Sequence, residues 1–116
     1  MDSAHDILAE VTRSGRRLRD AIPDVYAAYQ AQHTAAISAD GELPPKMREL
    51  IALSIAVTKQ CDGCIAAHAR GAAQRGATSQ EVAEAIGVAI LMNGGPATVW
   101  GPRAFAAFEE FAEASS

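Results

Sequence analysis

A chain of 116 residues has the length of one domain, and no repeat, low-complexity tract or linker divides residues 1–116. Its formal net charge of −4, from fourteen acidic and ten basic residues, argues against nucleic acid as the main partner. The N-terminal residues include acidic side chains and lack the apolar segment of a signal peptide, so we expect a soluble, cytoplasmic protein.

Helix signals recur along the chain, whereas no segment shows the sustained alternation that is typical of a strand. In the first half of the sequence, Ser3 can cap a helix that runs to about Ile22. Pro23 suits the first turn of a second helix, which reaches about Ser38. A third helix, opened by two prolines, is predicted within residues 43–59.

Two more helices are predicted in the second half of the chain. A fourth helix begins near Cys61 and ends at Gly76, a residue type that is common just past a helix C-terminus. Thr78 and Glu81 have the spacing of a capping box, which predicts the start of a fifth helix. That helix stops at residues 93–96, whose sequence is Asn-Gly-Gly-Pro.

The C-terminal residues predict a sixth helix with Pro102 near its start. It carries Phe105, Phe108 and Phe111 at three-residue spacing, a stripe that is more typical of a core or a subunit interface than of a cofactor site. The uncharged run over residues 85–102 is not a membrane span, because its Asn-Gly-Gly-Pro would break a spanning helix in the middle. The predicted fold class is all-α, a compact bundle of about six helices.

The composition also bears on assembly. Alanine accounts for 26 residues, and only six residues are aromatic. Alanine lets helices approach closely, but each alanine buries little apolar area. A small alanine-rich domain therefore gains by burying apolar faces against copies of itself, and we expect a homo-oligomer.

The reactive side chains cluster in residues 60–68, whose sequence is QCDGCIAAH. If Cys61 lies at the N-terminal edge of the fourth helix, Cys64 falls in its first turn and His68 one turn later. The unpaired amides and the dipole of a helix N-terminus stabilise a thiolate, and His68 can approach the Cys64 sulfur. The two cysteines are close enough for a disulfide across one turn, as in dithiol oxidoreductases.

Glu49 directly precedes an almost wholly apolar run in the third helix, which is an unusual place for a carboxylate. If the third and fourth helices form a hairpin, Glu49 and His68 face each other, each about 10–15 Å from the bend. Glu49 would then hydrogen-bond His68, orient its ring and exchange a proton with it. A carboxylate, an imidazole and a thiol in this order can activate a sulfur nucleophile.

Other interpretations of these residues stay open on the sequence alone. Cys61, Cys64 and His68, with Glu49 as a fourth ligand, could hold zinc, or the cysteines could be two unreactive residues of the core. His5 and His33 lie far from the motif in sequence, and we place them on the surface without a role.

The segments KMRELIALSIAV and QCDGCIAAHARGAAQRGATSQEVAEAI, within residues 44–93, resemble the core of the carboxymuconolactone decarboxylase superfamily. The order of glutamate, eleven intervening residues, CxxC and histidine resembles the AhpD-like alkylhydroperoxidase branch of that superfamily. The resemblance implies a compact all-helical fold that assembles into trimers or hexamers, and a thiol-dependent peroxidase activity. It implies no metal, flavin or haem.

By this resemblance, Cys64 is the cysteine that attacks the peroxide, and Cys61 is the partner that donates a proton and then closes the disulfide. Glu49 and His68 match the proton-relay residues. Gly63 stands where some of these peroxidases carry a histidine, a departure that bears on efficiency. Electrons are expected from an external dithiol, and the expected protein partners are a lipoyl-bearing protein or a peroxiredoxin.

The predicted function is therefore the reduction of hydroperoxides through a dithiol and disulfide cycle. Alternative functions are a decarboxylase that acts on a lactone, a disulfide reductase, and a metal-binding or redox-sensing module. Apolar residues beside the motif, such as Ile65 and Ile55, favour an organic peroxide as the substrate.

Overall fold

The computed structural model of the chain describes residues 2–114, which form six α-helices joined by short connections. In chain order these are α1 (Ala4–Ala21), α2 (Pro23–Ile37), α3 (Pro45–Lys59), α4 (Asp62–Gln74), α5 (Ser79–Asn93) and α6 (Gly95–Ala114). The described residues contain no strand, and the all-α prediction is confirmed.

The helix starts depend on local hydrogen bonds. Ser3 caps α1 by accepting a hydrogen bond from the Asp6 N–H at 3.1 Å. At the start of α5, Thr78 Oγ1 accepts from the Glu81 N–H at 3.1 Å, and the Glu81 carboxylate accepts from the Thr78 N–H at 2.8 Å. The Thr78 amide, followed by the Lys46 ammonium, holds the pKa of Glu81 below its ordinary value. The capping box therefore fixes the point at which α5 begins.

The sixth helix begins earlier than the sequence predicts. α6 starts at Gly95, directly after the turn at Gly94 (φ 78°), so that Pro102 is its eighth residue and lies inside the helix. Pro96 occupies the first turn, where a missing N–H breaks no helical hydrogen bond. At Pro102 the helix loses the hydrogen bond to the Thr98 carbonyl, and buried residues on both sides of the proline hold the helix together.

α4 lies at the centre of the molecule and packs against α1, α3 and α6, while α5 packs against α3 and α6. Most of the residues that α4 buries are alanine or glycine, which allow the neighbouring helices to approach closely. Phe108 and Phe111 fill the core from α6, and Phe105 packs against it. Within residues 2–114, no helix is both long enough and apolar enough to cross a membrane.

Candidate active site

The two cysteines lie where the chain turns from α3 into α4. Gln60 adopts a left-handed conformation (φ 55°) at the end of α3, and Cys61 follows as the N-cap of α4. The Cys61 Sγ accepts a hydrogen bond from the Cys64 N–H at 3.2 Å. The two sulfurs form a disulfide, in which Cys64 is exposed and Cys61 is half-buried. Cys64 is thus the more exposed residue of the pair.

Glu49 and His68 form a hydrogen-bonded pair between α3 and α4. His68 Nδ1 lies 2.9 Å from Glu49 Oε1, and only 4% of the surface of Glu49 is exposed. Burial of a carboxylate is costly unless a partner satisfies it, so this contact is a specific part of the interior rather than an incidental surface pair. When His68 donates from Nδ1, its other ring nitrogen, Nε2, is left to take up or return a proton.

The sulfur pair and the carboxylate–imidazole pair lie next to each other. His68 follows Cys64 by one turn of α4, so the two side chains share a face of that helix. Helical side chains lean toward the N-terminus, which brings the His68 ring toward the cysteine. The structure therefore joins Cys61 to Cys64 at the start of α4 and His68 to Glu49 between α3 and α4, with His68 one helical turn beyond Cys64.

A glycine that the sequence analysis did not single out lies against the same carboxylate. A Cβ atom at Gly71, one turn after His68 on α4, would overlap Glu49 Oε2. Any side chain at this position must therefore displace the carboxylate or move α4 away from α3. A signal for this role exists in the sequence, because a glycine inside an alanine-rich helix costs about 0.5–1 kcal/mol and calls for a packing reason.

His33 of α2 was expected on the surface without a contact to the motif, but it is half-buried and reaches the site. Its ring is nearly parallel to that of His68, with ring centroids 5.8 Å apart and an interplanar angle of 13°. His5 instead pairs with Glu110 of α6, with His5 Nδ1 2.5 Å from Glu110 Oε1. The contact between the His33 and His68 rings depends on how α2 packs against α3, and no local sequence pattern predicts that packing.

Gly63 lies at the interface with α1. A Cβ at this position would lie 3.5 Å from Val11 Cγ2, which is an ordinary van der Waals contact. A longer side chain at residue 63 would meet Val11, so α1 occupies the direction that a side chain here would take. The motif over residues 60–68 therefore contains one histidine, His68, which is hydrogen-bonded to Glu49.

Metal ligation was one of the alternatives for these residues. Within the part of the chain that the structure describes, no three side chains of His, Cys, Asp or Glu are grouped so that they could hold a metal ion. The two cysteine sulfurs are bonded to each other, and the His68 Nδ1 is hydrogen-bonded to Glu49.

Comparison with known proteins identifies relatives over most of the chain. The sequence model of the carboxymuconolactone decarboxylase family matches residues 23–113, which include α2 to α5 and nearly all of α6. An uncharacterized protein from Cupriavidus necator is 37% identical over 102 residues, covering 88% of this chain and 89% of its own length. Uncharacterized protein 4 in the cox locus of Paracoccus denitrificans is 34% identical over 110 residues, covering 95% and 92%.

Solved structures share the fold. The crystal structure of the apo form of a carboxymuconolactone decarboxylase family protein from Legionella pneumophila superposes with a TM-score of 0.89 at 36% identity, covering 94% of this chain and 96% of that one. A carboxymuconolactone decarboxylase homologue from Burkholderia xenovorans gives a TM-score of 0.75 at 22% identity, covering 97% and 96%. At that lower identity the second likeness supports the fold alone.

Proposed function

Since this chain belongs to the carboxymuconolactone decarboxylase family, we propose that it is a thiol-dependent peroxidase of the AhpD-like kind, which reduces hydroperoxides through Cys61 and Cys64. The observation that supports this most strongly is the position of the disulfide, one helical turn from the His68 ring that Glu49 holds. In this proposal, a nucleophilic sulfur, its resolving partner and a proton acceptor lie within about the first two turns of α4.

The first half of the reaction oxidises Cys64. His68 takes the proton of the Cys64 thiol, and Glu49 stabilises the resulting imidazolium. The thiolate attacks the terminal oxygen of the hydroperoxide, so that a sulfur–oxygen bond forms as the oxygen–oxygen bond breaks. The departing alkoxide takes the proton back from His68 and leaves as an alcohol. Cys64 is left as a sulfenic acid, oxidised by two electrons.

The second half restores the dithiol. The Cys61 thiol attacks the Cys64 sulfur, which releases water and gives the Cys61–Cys64 disulfide. An external dithiol then returns two electrons and two protons by thiol–disulfide exchange at the exposed Cys64. We propose a lipoyl-bearing protein or a peroxiredoxin as the partner that supplies this dithiol. The proposed setting is the cytoplasm, where such dithiols stay reduced. The proposed reaction uses no metal or organic cofactor.

The proposal is tested by adding one equivalent of cumene hydroperoxide to reduced protein from which the reductant has been removed. We expect two thiols to be lost per peroxide consumed, and the mass to fall by two hydrogen atoms within the peptide that contains both cysteines. Persistence of both thiols beside unreacted peroxide would contradict the proposal. Turnover of a lactone by the Cys61→Ser/Cys64→Ser variant would instead support a decarboxylase.

The exposure of Cys64 also favours a second candidate function, the reduction of disulfides in a partner protein. Both functions use the same dithiol, so they differ in which oxidant reacts faster. A second-order rate with oxidised lipoamide that exceeds the rate with cumene hydroperoxide would favour the disulfide reductase.

We also propose that the protein is a trimer or a hexamer, and that one apolar face of α3 and α5 is buried in the assembly. On this α3–α5 face, Val88, Leu91 and Met92 expose 60%, 79% and 78% of their surface, and Ile51 and Ile55 expose 46% and 53%. A patch of large apolar side chains on a small domain commonly marks an interface.

Val88→Glu is expected to shift the protein from oligomer to monomer, because it places a charge within the buried face. Val25→Glu is the matched control, since Val25 on α2 has the same exposure of 60% and lies outside the α3–α5 face. Light scattering after gel filtration at micromolar concentration measures the mass. Equal masses for both variants and the wild type would place the interface elsewhere.

A further inference from the structure

A small pocket opens beside His68 on the side that faces α2. It has a volume of about 250 Å³, and its walls come from α2, α3 and α4, among them Tyr29, His33, Ala36, Ala52 and His68. We propose, on the basis of the function above, that this pocket holds the organic group of a small, uncharged hydroperoxide, with His33 as a positioning residue in its wall. Nothing in the sequence motif indicates such a site.

The position of the pocket suits a substrate of Cys64. One wall is the His68 ring, which belongs to the helix face that also carries Cys64 one turn earlier. A hydroperoxide whose carbon group lies between α2 and α3 can therefore present its oxygen–oxygen bond at the His68 edge of the pocket. There the imidazole can return a proton to the leaving oxygen while the Cys64 sulfur attacks the terminal one.

The lining indicates the class of substrate. Among the described residues, no Asp, Glu, Lys or Arg lines the pocket. Its walls are alanine, isoleucine and tyrosine side chains with Gln32 and two imidazoles, so the polar groups are uncharged side chains, including the tyrosine hydroxyl, and the imidazoles. Its volume lies below the roughly 300 Å³ at which pockets for drug-sized ligands begin. Both features favour a short alkyl or arylalkyl hydroperoxide over a fatty-acid hydroperoxide with a carboxylate. Ile65 is buried in the core, and Ile55 lies on the exposed α3–α5 face, so neither contributes to this pocket.

His33 has a specific place in this arrangement. Ile37 is the residue that α2 buries, and the C-terminal half of α2, over residues 29–37, lines the pocket. The half-buried His33 ring stacks on one face of His68, while the Glu49 carboxylate holds the edge of the same ring through Nδ1. Two contacts from different directions restrict rotation of the His68 ring, which keeps Nε2 pointed along one direction.

The pocket is tested by filling it from an exposed position. Ala36→Trp places a large ring in the pocket, whereas Ala35→Trp adds the same ring to the neighbouring exposed residue of α2, which does not line the pocket. We expect Ala36→Trp to lower kcat/KM for cumene hydroperoxide about tenfold, mainly through KM, and to leave kcat/KM for hydrogen peroxide within about twofold. Ala35→Trp should match the wild type with both peroxides.

His33 is tested by two variants under the same assay. His33→Ala removes part of the pocket wall and the stacking partner of His68. We therefore expect kcat/KM for cumene hydroperoxide to fall about tenfold, and kcat/KM for hydrogen peroxide to fall by less. His33→Phe keeps a flat ring at this position and should recover most of that loss. A His33→Phe variant as impaired as His33→Ala would contradict a role as a wall and stacking partner.

Two failures can be told apart. If neither peroxide oxidises the thiols of the wild type, the proposed function is contradicted, and the assignment of the pocket to a hydroperoxide is contradicted with it. If the wild type reacts with both peroxides but Ala36→Trp and Ala35→Trp behave alike, the peroxidase function stands and the pocket assignment is wrong.

Discussion

Cys64→Ser is expected to lower peroxide turnover by at least about a thousandfold, because it removes the sulfur that attacks the peroxide. Cys61→Ser keeps that sulfur but removes the resolving thiol, so it should react once and then stop. Dimedone labelling of peroxide-treated Cys61→Ser, read by mass spectrometry, should find the sulfenic acid at Cys64. Cys64→Ser treated in the same way should stay unlabelled.

The pair of variants also decides which cysteine attacks. In the disulfide form, the one amide hydrogen bond that reaches either sulfur goes from Cys64 N–H to the Cys61 sulfur, within the described residues. That contact alone would favour Cys61 as the more stable thiolate, whereas exposure and the nearby His68 favour Cys64. Dimedone labelling of Cys64→Ser at Cys61, with none in Cys61→Ser, would reverse the assigned roles.

Gly71→Ala is expected to cost about a hundredfold or more in kcat/KM, because the new methyl group takes the place of the Glu49 carboxylate. The carboxylate must then leave its hydrogen bond with His68, or α4 must move away from α3. Overpacking of this kind also destabilises a protein by about 1–3 kcal/mol. Urea unfolding measures the stability, and peroxide consumption at a temperature where the variant is fully folded measures the activity.

Gly15→Ala in α1 is the matched control for Gly71→Ala. Its new Cβ would meet the Tyr26 hydroxyl at 3.8 Å, an ordinary contact, so the helix should gain about 0.5–1 kcal/mol from the lower flexibility of alanine. Activity of Gly15→Ala should equal that of the wild type. Retention of full activity by Gly71→Ala would show that the buried carboxylate contributes nothing to the reaction.

Much of the fold was predictable because its helix boundaries depend on local chemistry. Ser3, Pro23 and the Thr78–Glu81 capping box each act within one turn of helix, and each stands at the start of a helix in the structure. The predicted start of the sixth helix near Pro102 was wrong. Proline is typical of the first turn of a helix, but Pro96 already occupies the first turn of α6. A proline inside a helix is tolerated where buried neighbours hold the helix, and those neighbours belong to the tertiary structure.

The site was predictable only in part. The contact between Glu49 and His68 follows from counting residues on either side of one hairpin, so the sequence contained the information for it. The stacking of His33 on His68 depends on the path of α2 across the α3–α4 hairpin, which no short-range pattern specifies. Gly71 was predictable in part. A glycine inside a helix indicates a packing constraint, but the sequence does not show that the Glu49 carboxylate is the group packed against it.

A reactive thiolate at position 64 is the physical requirement on which the peroxidase proposal rests. The most direct measurement is the rate of alkylation of each cysteine by iodoacetamide in the reduced protein, followed by peptide mass spectrometry from pH 5 to pH 9. An ordinary thiol, with a pKa of about 8.5, still gains about tenfold in rate per pH unit near neutrality. We predict that Cys64 is alkylated first and that its rate has levelled off by pH 7. A rate at Cys64 that keeps rising to pH 8.5, as for a free thiol, would contradict the account.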